Sequence, residues 1–315
     1  MRTPEGCQDT DAASAPGDQC LQIGLLNNMP DAALRSTERQ FRALLARAAN
    51  GLPFRLTLYF LPERPRTEAA WSHIRRYYQD VSKLWSSKLD GLIVTGAEPN
   101  THSLQDEPYW PTLARLVDWA EDHTTSTIWL CLAAHAAVLH LDGVERRAFR
   151  QKLFGVFDCV KTVDHAIFQG LSSSWPVPHS RCNDLPEQAL AAHGYTILSR
   201  STEVGADTFI RQKQSLFVFV QGHPEYDASV LLREYRRDIA RFLSKDSDSY
   251  PELPRGYFEE PSENALREFR VLACQRRNID VLLTFPATAQ THSWQLVGPT
   301  MYANWLCLLS QRKSH

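Results

Sequence analysis

The sequence lacks several features that would assign it to a familiar class of protein. No apolar run approaches the roughly 20 residues that span a bilayer, and residues 1–20 contain no apolar core of a secretory signal. Basic residues are not in excess either, since the formal net charge is −2 at pH 7. A protein that binds nucleic acid or a membrane surface usually presents a basic face. We therefore expect a cytoplasmic protein that acts on small molecules, without a nucleic-acid or membrane partner.

The cysteines do not form the short-range pairs that are typical of zinc or redox sites. Seven cysteines are scattered along the chain, and none belongs to a C-x-x-C motif. An odd number of cysteines in a reducing compartment also argues against a disulfide framework. We expect neither a bound metal nor structural disulfides, so a functional cysteine would act as a thiol.

Strand-like and helix-like segments alternate through the first half of the chain. Residues 1–20 are rich in Ala, Pro, Gly and Asp without periodicity, and we predict that they form a flexible tail. The remaining residues, 21–315, are predicted to form a single domain. The alternation predicts an α/β fold, a mostly parallel sheet with helices on both faces. The strand-like segments are 21–27, 54–61, 90–96, 126–131 and 215–221, and the helix-like segments are 37–49, 71–85, 109–123, 228–244, 263–277 and 299–311.

Cys131 lies at a bend between a predicted strand and a predicted helix, in the segment "IWLCLAAHAAVLH". In parallel α/β sheets, active groups collect at the carboxyl ends of strands. The N–H groups at a helix N-terminus favour a thiolate and lie close to where an oxyanion would form. The alternative is an unreactive buried thiol, because free cysteine is among the most buried residue types.

A nucleophilic thiol needs a base and a group that orients the base. The segment "VFVQGHPEYD" supplies both, since His223 follows a buried strand and Glu225 lies two residues further on. An extended backbone would project both side chains to one side, although such a pair can also be a simple surface pair. His135 lies one helical turn after Cys131, where it would be poorly aimed at the thiol, so we assign it to packing or to lining the pocket.

Several motifs together resemble one family. "DGLIVTGA", "PYWP", "TSTIWLCLAAHAAV", "KLFGVF", "PHSR", "GHPEYDA" and "ANWL" occur in this order between Leu21 and Leu309. They are similar to motifs of the homoserine O-acyltransferases of methionine biosynthesis, which comprise homoserine O-succinyltransferase and its acetyl-using relatives. That resemblance implies a class I glutamine-amidotransferase-like fold. "GHPEYDA" and "PHSR" are the most specific of these motifs.

The resemblance also implies a mechanism and a set of site residues. Acyl-CoA would be a co-substrate that acylates Cys131 as a thioester, and no cofactor would be bound permanently. His223, oriented by Glu225, would then activate the hydroxyl of the acceptor, and the family tends towards homodimers. The other positions implied by the resemblance are the amide of Leu132 and the turn around Ala97 for the oxyanion, Arg237 for the amino-acid carboxylate, and Lys152 and Ser180 in the pocket.

Three departures from the family pattern leave the substrates open. The segment after "NNMP" reads "DAALRSTERQF", where family members typically have a shorter stretch with lysine. Asn100 occupies the position where Glu accompanies acetyl donors and Gly accompanies succinyl donors. Residues 262–285 resemble a helical insertion. Because Asn lacks the charge of Glu and can donate a hydrogen bond to a carboxylate, we favour succinyl-CoA, while acetyl-CoA and a serine-type acceptor remain open.

Two other functions are compatible with the same residues. A glutamine amidotransferase would use a Cys, His and Glu to hydrolyse glutamine, but such enzymes usually flank the nucleophile with glycine in a G-x-C-x-G motif. Here the flanking residues are Trp129 and Ala133. A non-enzymatic binding module would be favoured if one member of the triad were missing, and none is.

Overall fold

One ten-stranded sheet organises the part of the chain that the structure describes. The computed structural model describes residues 20–99, 101 and 103–313, so the predicted tail lies outside the described residues except for Cys20. The strands are β1 (Leu21–Leu26), β2 (Phe54–Phe60), β3 (Gln79–Asp80), β4 (Leu89–Val94), β5 (Thr124–Leu130), β6 (Arg147–Lys161), β7 (Ser174–Asp184), β8 (Thr196–Ser201), β9 (Gly205–Gln212) and β10 (Leu216–Val220).

The strand order is β3-β2-β1-β4-β5-β10-β9-β8-β6-β7. Neighbours from β3 through β10 pair in parallel, whereas β10, β9, β8, β6 and β7 pair antiparallel. The predicted α/β fold with a mostly parallel sheet is confirmed. Its antiparallel extension comes from the middle of the chain, where the order of the strands was not clear from sequence patterns.

Helices cover both faces of the sheet. They are α1 (Asp31–Ala49), α2 (Glu68–Tyr77), α3 (Trp110–His123), α4 (Leu132–Asp142), α5 (Glu187–Ala192), α6 (Val230–Leu243), α7 (Glu260–Arg276) and α8 (Val297–Lys313). Apolar residues of α1, α2, α6, α7 and α8 share one core, and those of α3, α4 and α5 share the other. No helix within the described residues is long and apolar enough to cross a membrane.

The helix predicted over 71–85 is wrong in its second half. Helix α2 ends at Tyr77, and the short strand β3 follows, with Gln79 and Asp80 paired to the end of β2. The Asp80 side chain then accepts from the backbone N–H of Ser82 and begins a 3₁₀ helix over Val81–Ser86. Pairing at the sheet edge thus overrides the helical periodicity of this segment.

The predicted insertion near 262–285 contains most of α7 and a 3₁₀ helix over Ile279–Thr284. Leu266, Phe269 and Ala273 of α7 are buried in the core that α6 and α8 also share. The segment therefore adds to the hydrophobic core. The division of the chain into a tail and one acyltransferase domain stays a prediction.

Parallel pairing brings the carboxyl ends of β4, β5 and β10 side by side. Val94 pairs with Trp129, and Leu130 pairs with Val220, so the three strands end almost level. The next residues on each strand begin the turn at Thr95, the bend at Cys131 and the loop at Gln221. The sheet therefore places the three segments predicted to hold the site at one edge.

Candidate active site

Cys131 occupies a strained bend between β5 and α4. Its φ of 48° and ψ of −113° lie outside the regions that residues other than glycine usually adopt, which costs on the order of 1–3 kcal/mol. Two backbone hydrogen bonds hold this conformation: Cys131 N donates to Val220 O at 2.7 Å, and Cys131 O accepts from His135 N at 3.2 Å. A cysteine on such a sharp turn presents its thiol at the top of the sheet.

The turn after β4 lies directly against the N-terminus of α4. A Cβ added to Gly96 would lie 2.4 Å from Ala133 N and 2.7 Å from Leu132 N, so only glycine allows this approach. The turn is tied to β1, since Thr95 N donates to Leu26 O at 3.0 Å. The structure thus brings the predicted oxyanion residues together, because the Leu132 amide begins α4 and Ala97 follows Gly96 in the turn.

His223 joins the other two members of the predicted triad. A hydrogen bond of 2.8 Å links His223 Nδ1 to Glu225 Oε1, and the Cys131 side chain also interacts with His223. Burial by itself would lower the pKa of His223. The negative charge of Glu225, its hydrogen bond to the ring and the interaction with Cys131 outweigh burial, so the pKa of His223 lies well above its usual value. The imidazole is therefore held in its protonated form beside the thiol.

Neighbouring elements fix the loop that carries His223 and Glu225. His223 N donates to Pro178 O of β7 at 2.8 Å, and Gln40 Nε2 of α1 donates to Glu225 O at 2.5 Å. The ring of Tyr226 stacks on the His223 ring, with centroids 4.2 Å apart and planes inclined by 17°. Contacts with β7 and α1, together with the stacked ring of Tyr226 from the same loop, thus set the direction of the imidazole.

Lys152 and Arg237 converge on one carboxylate that the sequence analysis missed. Asp238 Oδ2 lies 2.9 Å from Lys152 Nζ, while Asp238 Oδ1 lies 2.8 Å from Arg237 Nε and 2.7 Å from Arg237 Nη2. Burial raises the pKa of Asp238, but the charges of Lys152 and Arg237 outweigh it and the net shift is downward. The two predicted substrate contacts therefore form one ionic cluster with Asp238.

Ser180 contacts a second acid that the sequence analysis missed. The Ser180 hydroxyl donates to Glu234 Oε2, and the Tyr226 hydroxyl donates to Glu234 Oε1 at 2.8 Å. Glu234 precedes Arg237 by three residues on α6, so both side chains lie on one face of the helix. That spacing in "REYRRD" was visible in the sequence, but it is shared by many solvated helices.

Two further sequence predictions have different outcomes. Asn100 lies outside the described residues. Two residues earlier in the sequence, Glu98 Oε2 lies 3.8 Å from Arg241 Nη1 of α6. His135 points into the interior, where its Nε2 is 2.8 Å from Gln221 Oε1. Burial and the charge of Arg181 lower the pKa of His135 to about 3, so this imidazole stays neutral.

Comparison with known proteins decides the family. The model of the family described as homoserine O-succinyltransferase matches residues 7–315. The chain belongs to the homoserine O-succinyltransferase family. The resemblance seen in the motifs is thereby confirmed, and so is the prediction of an acyltransferase.

Individual relatives of this family cover most of the chain. Homoserine O-succinyltransferase of Methylorubrum extorquens is 46% identical over 301 residues, which is 94% of this chain and 89% of the relative. The protein of the same name from Bradyrhizobium japonicum is 48% identical over 297 residues, 92% of this chain and 90% of the relative.

Solved structures that resemble this member of the family agree on its fold. A glutamine amidotransferase from Methylobacillus flagellatus superposes with a TM-score of 0.52 at 14% identity, covering 92% of this chain and 95% of its own. A glutamine amidotransferase from Thermotoga maritima gives 0.51 at 13% identity, covering 92% and 98%. At such low identity the likeness shows the fold alone, and the predicted amidotransferase-like class is confirmed.

Replacing Glu225 by Gln should lower the pKa of His223. The substitution keeps the shape of the side chain but removes the charge that offsets burial, so the imidazolium should lose its proton at a lower pH than in the unmodified protein. Ring ¹⁵N chemical shifts of His223 across a pH titration measure this directly. We also expect acyl transfer to fall by roughly 10²–10⁴-fold in kcat/KM, as when the acid of a triad is neutralised.

Glu121→Gln is a suitable control, because Glu121 pairs with Lys213 at 2.6 Å on α3, away from the triad. This control should leave the titration of His223 unchanged. An equal titration curve in Glu225→Gln and the unmodified protein would show that Glu225 does not determine the protonation of His223.

Proposed function

We propose that this chain transfers a succinyl group from succinyl-CoA to the hydroxyl of homoserine through a thioester on Cys131. The observation that carries the proposal is the chain of contacts from Cys131 to His223 and from His223 Nδ1 to Glu225 Oε1 at 2.8 Å, in a member of this family. A thiol with a base and an orienting acid is the arrangement required for covalent acyl transfer.

The first half of the reaction makes the thioester. The Cys131 sulfur attacks the carbonyl carbon of the donor, and the negative charge on the carbonyl oxygen is stabilised by the Leu132 amide and the turn at Ala97. When the tetrahedral intermediate collapses, the bond to the CoA sulfur breaks, and the imidazolium of His223 supplies the proton for the leaving thiol. Its raised pKa supports this role, because the imidazole already carries that proton.

The second half transfers the acyl group to the acceptor. Neutral His223 removes the proton from the acceptor hydroxyl as its oxygen attacks the thioester carbon. The second oxyanion forms at the same amides, and its collapse breaks the C–S bond and returns Cys131 as a thiolate beside the imidazolium. Glu225 orients the ring in both halves and stabilises its positive charge.

The charged face of α6 supports an amino acid as acceptor. Asp238 binds the Nε and Nη2 side of Arg237, which leaves the Nη1 edge oriented for a substrate carboxylate. Glu234, one turn earlier, supplies the negative charge that an α-ammonium group requires. Opposite charges one helical turn apart match the zwitterion of homoserine, whose side-chain hydroxyl would extend towards His223.

Two observations favour the succinyl donor over the acetyl donor. The relatives that cover about nine-tenths of this chain are named homoserine O-succinyltransferases. Asn100 also lacks the charge that accompanies acetyl donors in the family. An amidotransferase reaction is not favoured, because Trp129 and Ala133 replace the glycines that usually flank the nucleophile.

Cys131 should gain the mass of one succinyl group when the protein is mixed with succinyl-CoA in the absence of homoserine. Without an acceptor, the thioester can disappear only by slow hydrolysis, so intact-protein mass spectrometry should detect it. Cys131→Ala should gain no acyl mass. Cys182→Ala, which removes an exposed thiol, is the matched control and should be acylated normally; equal acylation of Cys131→Ala would contradict the mechanism.

Arg237→Lys should raise the KM for homoserine by about tenfold, equivalent to about 1.4 kcal/mol. Lysine keeps the charge but cannot form two parallel hydrogen bonds to a carboxylate. Formation of the thioester from succinyl-CoA alone should persist. The control Arg233→Lys changes an arginine of the same helix that pairs with Asp227 at 3.4 Å, and an equal KM in both variants would remove Arg237 from the acceptor site.

Asn100→Glu should shift donor preference towards acetyl-CoA. By the family resemblance, a carboxylate at this position would repel the free carboxylate of a succinyl group and so disfavour succinyl-CoA relative to acetyl-CoA. Values of kcat/KM for both donors in both proteins test this. An unmodified protein that prefers acetyl-CoA, or a variant with the same donor ratio, would show that Asn100 does not set donor choice.

A further inference from the structure

Three polar side chains are buried beneath the loop that carries His223. Asp207 of β9 is 1% exposed, His179 of β7 is 0% exposed and Arg181 of β7 is 4% exposed. A Cβ added to Gly222 would lie 2.6 Å from Asp207 Oδ1 and 2.9 Å from His179 Cε1. The Gly222–His223 backbone therefore rests directly on the His179–Asp207 pair.

The hydrogen bonds of this group determine where the proton of His179 lies. Arg181 Nε–H donates to His179 Nδ1 at 3.3 Å, so Nδ1 must present a lone pair. Burial and the charge of Arg181 hold the pKa of His179 well below its usual value, and a neutral imidazole carries one proton. That proton is therefore on Nε2, which faces Asp207 Oδ1 at 3.5 Å.

The Asp207 carboxylate accepts hydrogen bonds from neighbouring hydroxyl groups. Its Oδ2 accepts from the Ser199 hydroxyl at 2.8 Å and from the Thr208 hydroxyl at 2.9 Å. The backbone N–H of Gly222 also interacts with this carboxylate. The next amide, His223 N, donates to Pro178 O at 2.8 Å, so the backbone beside the proposed base is tied to β7 and lies against Asp207 of β9.

We propose that Arg181, His179 and Asp207 form a buried, proton-ordered chain that positions His223 for catalysis. The proposal rests on the role of His223 given above. Arg181 donates to His179. The Nε2–H of His179 then faces Asp207 Oδ1 at 3.5 Å, which is longer than a typical hydrogen bond, and neither atom has another partner among the described residues. Asp207 in turn lies against the backbone of Gly222. A shift of this backbone would misalign the imidazole with Cys131, and misplacement by about 1 Å can cost about 10²-fold in rate.

A metal site is the competing interpretation of the same residues. The ligand atoms of Cys159, His179 and Asp207 lie within 4.8 Å of one another, and all three residues are buried. The proton on His179 Nε2 leaves no lone pair directed into this cluster, and the guanidinium of Arg181 already supplies a positive charge. Burial also raises the pKa of the Cys159 thiol, so it stays protonated.

Two substitutions of His179 distinguish its contact with Arg181 from its contact with Asp207. In His179→Gln the amide reaches as far as Nε2 and can donate to Asp207, whereas in His179→Asn it reaches only the position of Nδ1 and keeps the contact with Arg181. Both variants lose the ring, so the loss of packing is similar. We expect kcat to be at least about tenfold higher in His179→Gln than in His179→Asn, with the KM values for both substrates within about twofold.

Asp207→Asn should lower kcat by about tenfold to a hundredfold with little change in KM. The hydroxyls of Ser199 and Thr208 already donate to this side chain, so the NH₂ group of Asn would place further donors against them and shift the loop above. Asp142→Asn is the control; Asp142 is a half-buried acid at the far end of α4 that accepts a hydrogen bond from the Tyr195 hydroxyl at 2.5 Å. A purely structural role would lower thermal stability alike in both variants without a selective loss of kcat.

The tautomer of His179 can be observed without any activity measurement. ¹⁵N-imidazole NMR of the unmodified protein should show a neutral histidine protonated at Nε2, and this signal should be absent from His179→Gln. A signal protonated at Nδ1, equal kcat in the two His179 variants, or a stoichiometric divalent metal that Cys159→Ser removes would overturn the proposal. Full activity in His223→Ala would instead contradict the proposed function.

Discussion

The backbone hydrogen bond from Cys131 N to Val220 O, at 2.7 Å, is the contact on which the site depends. It extends the parallel pairing of β5 and β10 by one residue, at the point where both strands turn into functional segments. On one side it holds Cys131 at a φ of 48°, a conformation that would otherwise relax. On the other side it fixes the start of the loop that leads to His223, so nucleophile and base are positioned together.

The sequence predicted the positions of the triad because those positions follow from the ends of core strands. A buried strand is recognisable from its apolar run, and parallel strands end at a common edge. Cys131, His223 and Glu225 each come within five residues of such an end, so topology alone brings them together. The family resemblance added roles for Arg237, Lys152 and Ser180, which strand patterns do not address.

Contacts made by the antiparallel half of the sheet could not be predicted in the same way. Asp207 and His179 lie on β9 and β7, whose relative positions depend on the order β9-β8-β6-β7. The local sequence does not specify that order, because β8 pairs with β6 and not with β7, the strand that precedes it in the chain. Asp238 was missed for another reason: a charged residue on an amphipathic helix has the same pattern whether it binds solvent or a neighbouring lysine. The segment 71–85 shows the opposite error, where a helical pattern gave way to pairing at the sheet edge.

Burial divides the site into two parts with different electrostatics. Around His223 the protein is nearly dry, so the charge of Glu225 is strongly felt and outweighs the desolvation of the imidazolium. Around Arg237 the side chains are partly exposed, with 45% of the Arg237 side chain accessible, so solvent weakens each ion pair there. The dry environment around His223 favours the chemical steps, because polar groups that are already fixed in place need not reorganise as charge develops in the transition state. Under the proposed function, capture of a zwitterion would benefit from the second environment, around Arg237, because Asp238 holds the guanidinium in place while its free edge could exchange water for a carboxylate at little cost. The same helix, α6, joins the two parts, since Glu234 accepts a hydrogen bond from Tyr226, whose ring stacks on His223, and Arg237 lies one turn further along the helix. Under the proposed function, an acceptor bound on α6 would therefore meet the base at a fixed distance.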